Sequence, residues 1–178
     1  TPPPPPELPF AGTPDQLMKN FQTVYEEMDI DGYRQVIDSE FRIYLSQDVF
    51  VYEPDSDAQN QFPGVFDGWF RPQEVSFINN FYNSGVTIEA KMRDDDFVLP
   101  GDSGTQVTWE GVIYDLIVTN ANDGSTPRYR ASAIITFSLE GNFWYITRWR
   151  DQQGESNPDN PGQLLSSMGV LRGTFASK

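Results

Sequence analysis

The stretch from Arg128 to Asp151 shows a regular alternation of apolar and polar residues. In its first half alternate residues are apolar, which predicts a strand whose side chains point to opposite faces of a sheet. The apolar face of that strand consists of Tyr129, Ala131, Ala133, Ile135, Phe137 and Leu139. Glu140 to Asn142 predict a tight turn, because Gly and Asn tolerate positive φ. The aromatic and β-branched second half predicts the returning strand, with Trp144 and Ile146 beside the apolar face of the first.

Apolar residues at helical spacing predict amphipathic helices elsewhere in the chain. The first helix begins with Thr13 as its N-cap, Pro14 in the first helical position and Gln16 completing a capping box. This helix is predicted to run from Pro14 to about Met28. A short second helix is predicted after Asp31, with Tyr33, Val36 and Ile37. A third is predicted from Arg71 to Tyr82, and Asn83 to Gly85 end it.

Further strands and their connections follow from β-branched runs and turn residues. Strands are predicted over Phe41 to Tyr52, Val86 to Val98, and Thr105 to Thr119 with a bulge at Gly111. Loops, turns and linkers are predicted over Glu53 to Gly64, Pro100 to Gly104, Asn120 to Pro127 and Gln152 to Gly162. A short closing element is predicted from Leu164 to Phe175.

This order of elements predicts an α+β fold, because helices precede a run of long antiparallel strands. We expect a cone-shaped, curved antiparallel sheet with the N-terminal helices packed on its concave face. The strands are too long for the helices to cover completely, so a pocket is expected where the sheet is uncovered. Residues 1–12 are predicted to be a proline-rich tail or linker, and residues 13–178 a single domain.

Charge and composition exclude several classes of function. The 178 residues include 26 acidic and 12 basic side chains, for a net charge of −14. Such a surface repels nucleic acid and anionic membranes. The chain has no Cys and no His, so thiol chemistry and the commonest general base are missing, and no cofactor is predicted. No apolar run is long enough for a membrane span, and the start at Thr1 leads us to expect a processed or truncated form.

Three stretches resemble the nuclear transport factor 2-like superfamily, which includes ketosteroid isomerases and SnoaL-like polyketide cyclases. Thr13 to Leu17, followed by Phe21, Tyr25, Asp29 and Tyr33, is similar to its first two helices, and Asn142 to Asp151 to its last strand. Ser167 to Arg172 resembles a closing segment of an exported bacterial lipoprotein branch.

The resemblance implies a cone-shaped fold with a pocket at its open end, and often a homodimer packed through the sheet. It also implies an exported location, which is periplasmic, extracellular or that of a cell-envelope lipoprotein. The proline-rich tail fits the same expectation. Fold alone does not decide function in so diverse a superfamily.

Arg148 and Arg150 are the first candidate ligand-binding residues, because we expect them to share a face with Trp144 and Ile146. At the pocket mouth they would hold an anion. The alternative is that both pair with acidic side chains on neighbouring strands.

Aromatic residues form the second candidate group. Tyr25, Trp109 and Trp149 are predicted to line a pocket for a flat apolar ligand, and the alternative is that they belong to the core. The same two interpretations apply to Tyr44 and Tyr114.

Two groups of carboxylates have competing interpretations. Asp94 to Asp96 would offer oxygen ligands to a metal, but alternation along a strand favours a solvated turn, so no metal is predicted. Asp29 would serve as a base if it lay beside an apolar pocket, whereas the simpler interpretation is a helix cap. No set of catalytic residues can be assigned.

Three hypotheses about function remain. The favoured one is non-catalytic binding of a small apolar or acidic ligand, or of a protein partner, by an exported domain. The second is an acid-base enzyme of the SnoaL-like or ketosteroid-isomerase-like kind that uses Asp and Tyr, and the third is a structural dimerisation module. A deep apolar pocket around an isolated carboxylate would favour the enzyme, whereas a cone filled by side chains would favour the others.

Overall fold

The computed structural model of the chain describes residues 7–37, 50–101 and 104–176. Its helices are α1 Pro14–Glu26, α2 Ile30–Ile37, α3 Ser56–Gln61, α4 Arg71–Tyr82 and α5 Met168–Phe175. Its strands are β1 Val51–Glu53, β2 Val86–Lys91, β3 Gln106–Asn120, β4 Arg128–Glu140, β5 Phe143–Gly154, β6 Ser156–Asn157 and β7 Asn160–Leu164.

The strands β1 to β5 form a curved, open sheet in the order β1-β5-β4-β3-β2. The pairs β2–β3, β3–β4 and β4–β5 are antiparallel, as predicted, and β4 and β5 form the expected hairpin. Strand β1 pairs with β5 in the parallel direction, so the sheet is mixed and not purely antiparallel. The predicted α+β class with helices against a curved sheet is confirmed.

The first helix begins where the sequence predicts it. The Thr13 side chain accepts a hydrogen bond from the Gln16 backbone N–H at 3.1 Å, and Pro14 stands in the first turn. Helix α1 ends two residues earlier than predicted, at Glu26, and Met28 has a φ of 52°. The apolar stripe of α1 packs against β2 and β5, which fills one end of the core.

Three register shifts change the direction of side chains in the long strands, and one of them lies where Ser132 pairs with Gln153 but Ala133 pairs with Asp151. The predicted bulge at Gly111 is confirmed, since the register of β3 on β4 shifts between Trp109 and Val112 and Gly111 has a φ of 68°. A second bulge lies in β5 and was not predicted. Thr136 pairs with Arg148 but the next residue of β4 pairs with Ile146, so Thr147 is an extra residue.

Several predicted connections are wrong because short polar segments form structure through specific caps and pairs. The predicted loop Glu53 to Gly64 contains α3, which is capped when the Asp55 side chain accepts from the Ala58 N–H at 3.2 Å. The predicted linker Gln152 to Gly162 contains the end of β5 and the β6–β7 hairpin.

Strand boundaries also differ from the prediction. The predicted strand Val86 to Val98 ends at Lys91, and Arg93 then reaches back to Asp15 of α1, with Nε to Oδ1 at 2.9 Å. Most of the predicted strand Phe41 to Tyr52 lies outside the described residues, as does Tyr44.

Part of the predicted N-terminal tail packs on the domain. The Asn20 side chain donates to the Pro9 carbonyl oxygen at 2.7 Å, and the Trp144 N–H donates to the Ala11 carbonyl oxygen at 3.0 Å. Leu8 packs against the core and the Phe10 ring lies 4.8 Å from the Phe143 ring. These contacts place residues 8–11 beside α1 and β5, and the domain boundary at residue 12 stays a prediction.

Candidate functional site

The bulge at Thr147 decides which way the candidate arginines face. An extra residue exchanges the two faces of a strand. Trp144 and Ile146 are buried against the core, whereas the Arg148 and Arg150 side chains are 54% and 61% exposed on the other side of the sheet. The expectation that the arginines share a face with Trp144 and Ile146 is therefore wrong.

Both arginines approach Glu53 on the neighbouring strand β1, but they do so unequally. The Arg148 Nη2 donates a hydrogen bond to Glu53 Oε1, and this bond raises the pKa of Arg148 above its ordinary value. The Arg150 Nε lies 3.7 Å from Glu53 Oε2, which is too far for a hydrogen bond. The contact is still an ion pair, so both arginines pair with Glu53 as the alternative interpretation expects. Arg150 donates no hydrogen bond to a described side chain, which leaves its N–H groups able to bind an anion.

Arg150 also lies at the edge of a surface groove of about 550 Å³. The groove is lined by residues from β1, α3, the loop that joins α3 to α4, and β5, namely Tyr52, Glu53, Pro54, Gln59, Phe62, Gly64, Phe66, Asp67 and Arg150. Arg148 is not among them. Of the two arginines only Arg150 borders this groove, and the pocket mouth expected on the concave face of the sheet stays a prediction.

The aromatic walls of the groove are held by the packing behind them. Phe62 lies against α5 so closely that a Cβ on Gly173 would stand 2.3 Å from the Phe62 ring. The Phe66 ring lies 5.8 Å from the Tyr52 ring and 5.2 Å from the Trp69 ring. Gly64 and Gly68 allow the loop to turn here, with φ of 77° and 72°. The groove therefore has a fixed shape on this side.

The aromatic candidates lie elsewhere. Tyr25, Trp109 and Trp149 are at most 1% exposed, and none of them lines the groove. Trp109 packs on Phe137 with ring centroids 4.7 Å apart, and Trp149 packs on Tyr114 at 5.5 Å. Their position agrees with the alternative interpretation that they belong to the core, and a direct role in ligand binding stays a prediction.

A carboxylate that the sequence did not single out lies at the centre of the fold. Asp151 is 3% exposed and accepts hydrogen bonds from Tyr52 Oη at 2.5 Å, Tyr114 Oη at 2.8 Å and Trp149 Nε1 at 2.9 Å. Burial raises the pKa of Asp151, although Arg172 and the three donors act in the opposite direction.

A buried ion pair joins the last helix to α4. Arg172 and Glu74 are both 0% exposed, and Nη2 and Nε of Arg172 donate to the two oxygens of Glu74 at 2.7 and 2.9 Å. Glu74 also accepts from Trp69 Nε1 at 2.7 Å and from the Tyr33 hydroxyl. The Arg172 guanidinium lies 4.0 Å above the Tyr52 ring. Burial alone disfavours the charged guanidinium, but Glu74 raises the pKa of Arg172 overall.

These side chains, which we call the inner polar cluster, fill the space between the sheet and the helices. The cluster consists of Glu74, Asp151, Arg172, Tyr25, Tyr33, Tyr52, Tyr114, Trp69 and Trp149. A general base needs a lone pair that faces its substrate. Both carboxylates of the cluster instead accept from several protein donors, so they are better suited to holding the helices and the sheet together than to removing a proton from a substrate.

The sequence carried one signal for this cluster. Arg172 stands in the otherwise apolar segment from Met168 to Phe175. An arginine at such a position predicts either a buried partner or a solvated edge, and no pattern points across 98 residues to Glu74. The cluster was missed because its members come from seven separate helices and strands and from the loop before α4.

The remaining carboxylate candidates have local partners. Asp29 Oδ1 accepts from the Gly32 N–H at 3.0 Å, as expected for a helix cap. Asp94 pairs with Arg130 at 3.2 Å and Asp95 pairs with Lys91 at 2.8 Å. Within residues 7–37, 50–101 and 104–176, no group of three His, Cys, Asp or Glu side chains is arranged to hold a metal ion.

A second groove of about 430 Å³ lies beneath the N-terminal segment, with walls from Leu8, Phe10, Val36 and Trp144. Trp144 is 6% exposed there and belongs to the core, as the sequence predicted. In the part of the chain that the structure describes, no helix is long and apolar enough to cross a membrane.

No protein-family model and no curated protein sequence matches this chain. Solved structures do match. One is named as an aromatic ring hydroxylase from Novosphingobium aromaticivorans, with 13% identity, a TM-score of 0.59, and coverage of 88% of this chain and 92% of that one. A conserved protein from Planctomyces limnophilus has 12% identity and a TM-score of 0.57, over 78% of this chain and 91% of that one.

A third match is named as the beta subunit of an aromatic-ring-hydroxylating dioxygenase from Novosphingobium aromaticivorans. It has 14% identity and a TM-score of 0.51, and covers 80% of this chain and 89% of that one. At these identities the likeness is one of fold alone.

Proposed function

We propose that this chain, which has the nuclear transport factor 2-like fold, binds a small carboxylic acid with an apolar body and does not convert it. The observation that carries the proposal is Arg150, whose guanidinium lines the groove and is not hydrogen-bonded to another described side chain. A guanidinium fork matches the two oxygens of a carboxylate, which makes it the side chain best suited to this ligand.

The walls of the groove support the apolar half of the ligand. Phe62 and Phe66 offer ring surface at positions fixed by Gly173 and Trp69 behind them. Aromatic rings prefer offset or edge contacts with one another, so a ligand that carries a ring of its own gains most here.

Binding without conversion is supported by the chemistry of the cone interior. The side chains that acid-base catalysis would use, Asp151 and Glu74, are turned inward and accept hydrogen bonds from the protein itself. Tyr52 also lines the groove, and its hydroxyl already donates to Asp151.

The test is a calorimetric titration of the protein with 3-phenylpropanoate at pH 7 and low salt. We expect Arg150→Gln to weaken binding by about tenfold or more, as loss of a charge-assisted pair does. Arg148→Gln is the matched control. Arg148 lies two residues from Arg150 and has the same charge and a similar exposure, but it does not line the groove. If both substitutions weaken binding equally, or if neither weakens it, the assignment to Arg150 is refuted.

A homodimer through the sheet is a second proposal, which one observation favours. Ile113, Ile117 and Ile134 lie on the face of the sheet opposite the helices and are only partly buried. A self-complementary contact over this face would cover them. Sedimentation velocity should then show a dimer that Ile134→Lys dissociates, and a monomer at all concentrations would contradict it.

An exported location is also a proposal. It rests on the resemblance of Ser167 to Arg172 to an exported lipoprotein branch and on the proline-rich start of the chain. Fractionation of cells that express the natural gene would test it, and recovery of the protein with the cytoplasm would contradict it.

A further inference from the structure

Three charged side chains line the groove, and one of them, Glu53, already pairs with Arg150 at 3.7 Å. Asp67 and Arg150 both contribute to its lining, yet no ion pair joins them. Among the residues that the structure describes, Asp67 has no salt bridge and no side-chain hydrogen bond, and its carboxylate stands above Gly64, whose added Cβ would lie 3.9 Å from Oδ2. Among the described residues, the groove thus presents a carboxylate without a partner at Asp67 and a guanidinium at Arg150 that Glu53 approaches only to 3.7 Å.

We propose that the ligand of this groove is an amino acid in its zwitterionic form, with an aromatic or large apolar side chain. This inference rests on the proposed function and names its ligand class. Arg150 receives the carboxylate, Asp67 receives the ammonium group, and the side chain lies against Phe62 and Phe66. Each of the three parts of such a ligand then has a partner of matching chemistry.

The net charge of the protein supports a zwitterion over a simple acid. With a net charge of −14, the field of the whole molecule repels a free carboxylate. Asp67 adds a further local negative charge in the groove itself. An amino acid carries no net charge, so the overall field does not oppose its approach, and Asp67 attracts its ammonium group.

Charge also explains why both groups are needed. Arg150 is 61% exposed and Asp67 is exposed, so a single pair with either one would be weakened by solvent. Two pairs formed by one small ligand share a single loss of translational freedom, which makes the second contact more favourable than the first. A ligand with only one of the two charges should therefore bind more weakly.

The experiment compares three ligands that share a phenyl ring and a two-carbon chain. They are L-phenylalanine with both charges, 3-phenylpropanoate without the ammonium group, and 2-phenylethylamine without the carboxylate. We expect phenylalanine to bind at least about fivefold more tightly than either of the others.

Two variants then assign each charge. Asp67→Asn should weaken phenylalanine about fivefold and leave or improve the binding of 3-phenylpropanoate, whereas Arg150→Gln should weaken both. Asp57→Asn is the control for Asp67, because Asp57 is an exposed carboxylate on α3 that does not line the groove.

The outcomes separate this inference from the proposed function. If 3-phenylpropanoate binds as tightly as phenylalanine and only Arg150→Gln weakens them, the acid-binding function stands and the zwitterion is refuted. If Asp67→Asn and Asp57→Asn affect phenylalanine equally, the role of Asp67 is refuted. If none of the three ligands binds the unmodified protein, both proposals fail.

Discussion

Replacing Arg172 by methionine should strongly destabilise the protein, because it leaves Glu74 as a buried carboxylate without its cation. Both side chains are fully buried, and Arg172 donates to both oxygens of Glu74. Methionine keeps much of the length and the apolar stem of arginine, so the substitution removes mainly the charge and its hydrogen bonds.

The size of the effect follows from what Glu74 keeps. Removal of one partner of a buried ion pair costs about 3–5 kcal/mol. Glu74 retains hydrogen bonds from Trp69 Nε1 at 2.7 Å and from Tyr33, which lowers the cost. The guanidinium also loses its position above the Tyr52 ring, which raises the cost by about 1–2 kcal/mol. We therefore expect a loss of about 4 kcal/mol in the free energy of unfolding.

The assay is urea unfolding at pH 7, followed by far-ultraviolet circular dichroism and tryptophan fluorescence. The double substitution Glu74→Leu with Arg172→Met removes both charges and should recover at least about half of the loss. Arg34→Met is the control, since Arg34 and Asp31 form an exposed pair at 3.6 Å whose loss should change stability by less than about 1 kcal/mol.

Two results would refute the reasoning. A loss below about 1 kcal/mol for Arg172→Met would mean that the ion pair contributes no more than a surface pair. A double variant less stable than Arg172→Met alone would mean that the cost comes from lost packing and not from the uncompensated carboxylate.

The remaining predictions concern other parts of the core. Burial raises the pKa of Asp151, so the folded state favours its protonated form more than the unfolded state does. The contribution of Asp151 to the free energy of unfolding is therefore complete below the unfolded pKa of about 3.9, and it is lost as pH rises through the folded pKa. The stability of the wild type relative to Asp151→Asn, measured by urea unfolding, should therefore fall as pH rises from 4 to 7, and a constant difference would contradict this. Trp144→Ala should cost about 3–5 kcal/mol, and unchanged stability in thermal unfolding would mean that the side chain is not core. Removal of residues 1–9 should cost about 1–2 kcal/mol, because it deletes the Pro9 carbonyl that accepts from Asn20. An unchanged melting temperature would mean that this segment adds nothing to the stability of the domain.

The sequence predicts well what depends on local periodicity. The N-cap at Thr13, the β4–β5 hairpin and the α+β class follow from spacing, capping and turn chemistry, and the structure confirms them. The direction of Arg148 and Arg150 could not be predicted, because it depends on the single extra residue Thr147. Neither glycine nor proline marks this bulge, and alternation read through it assigns Arg148 and Arg150 to the wrong face.

The parts of the candidate site that the sequence missed depend on contacts over long distances. Glu74 and Arg172 are 98 residues apart, and Tyr52 and Asp151 are 99 apart. The groove is walled by α3 and by the loop after it. Helix α3 is polar, with only Ala58 buried, and so has no apolar stripe to detect. Asp67 carries no sequence signal of its own, since only the folded chain brings it into the groove that Arg150 also lines.

The most direct test of the central claim, that ligand binds in the groove at Arg150 and not inside the cone, is a nuclear magnetic resonance titration with L-phenylalanine. The backbone amides of Gly64 and Asp67 and the Arg150 Nε–H report on the groove, whereas the indole N–H groups of Trp69 and Trp149 report on the inner polar cluster through their bonds to Glu74 and Asp151. We predict saturable shifts of the groove signals while both indole signals stay within the line width. Shifts of the indole signals with an unmoved Gly64 amide would place the ligand inside the cone and contradict the account.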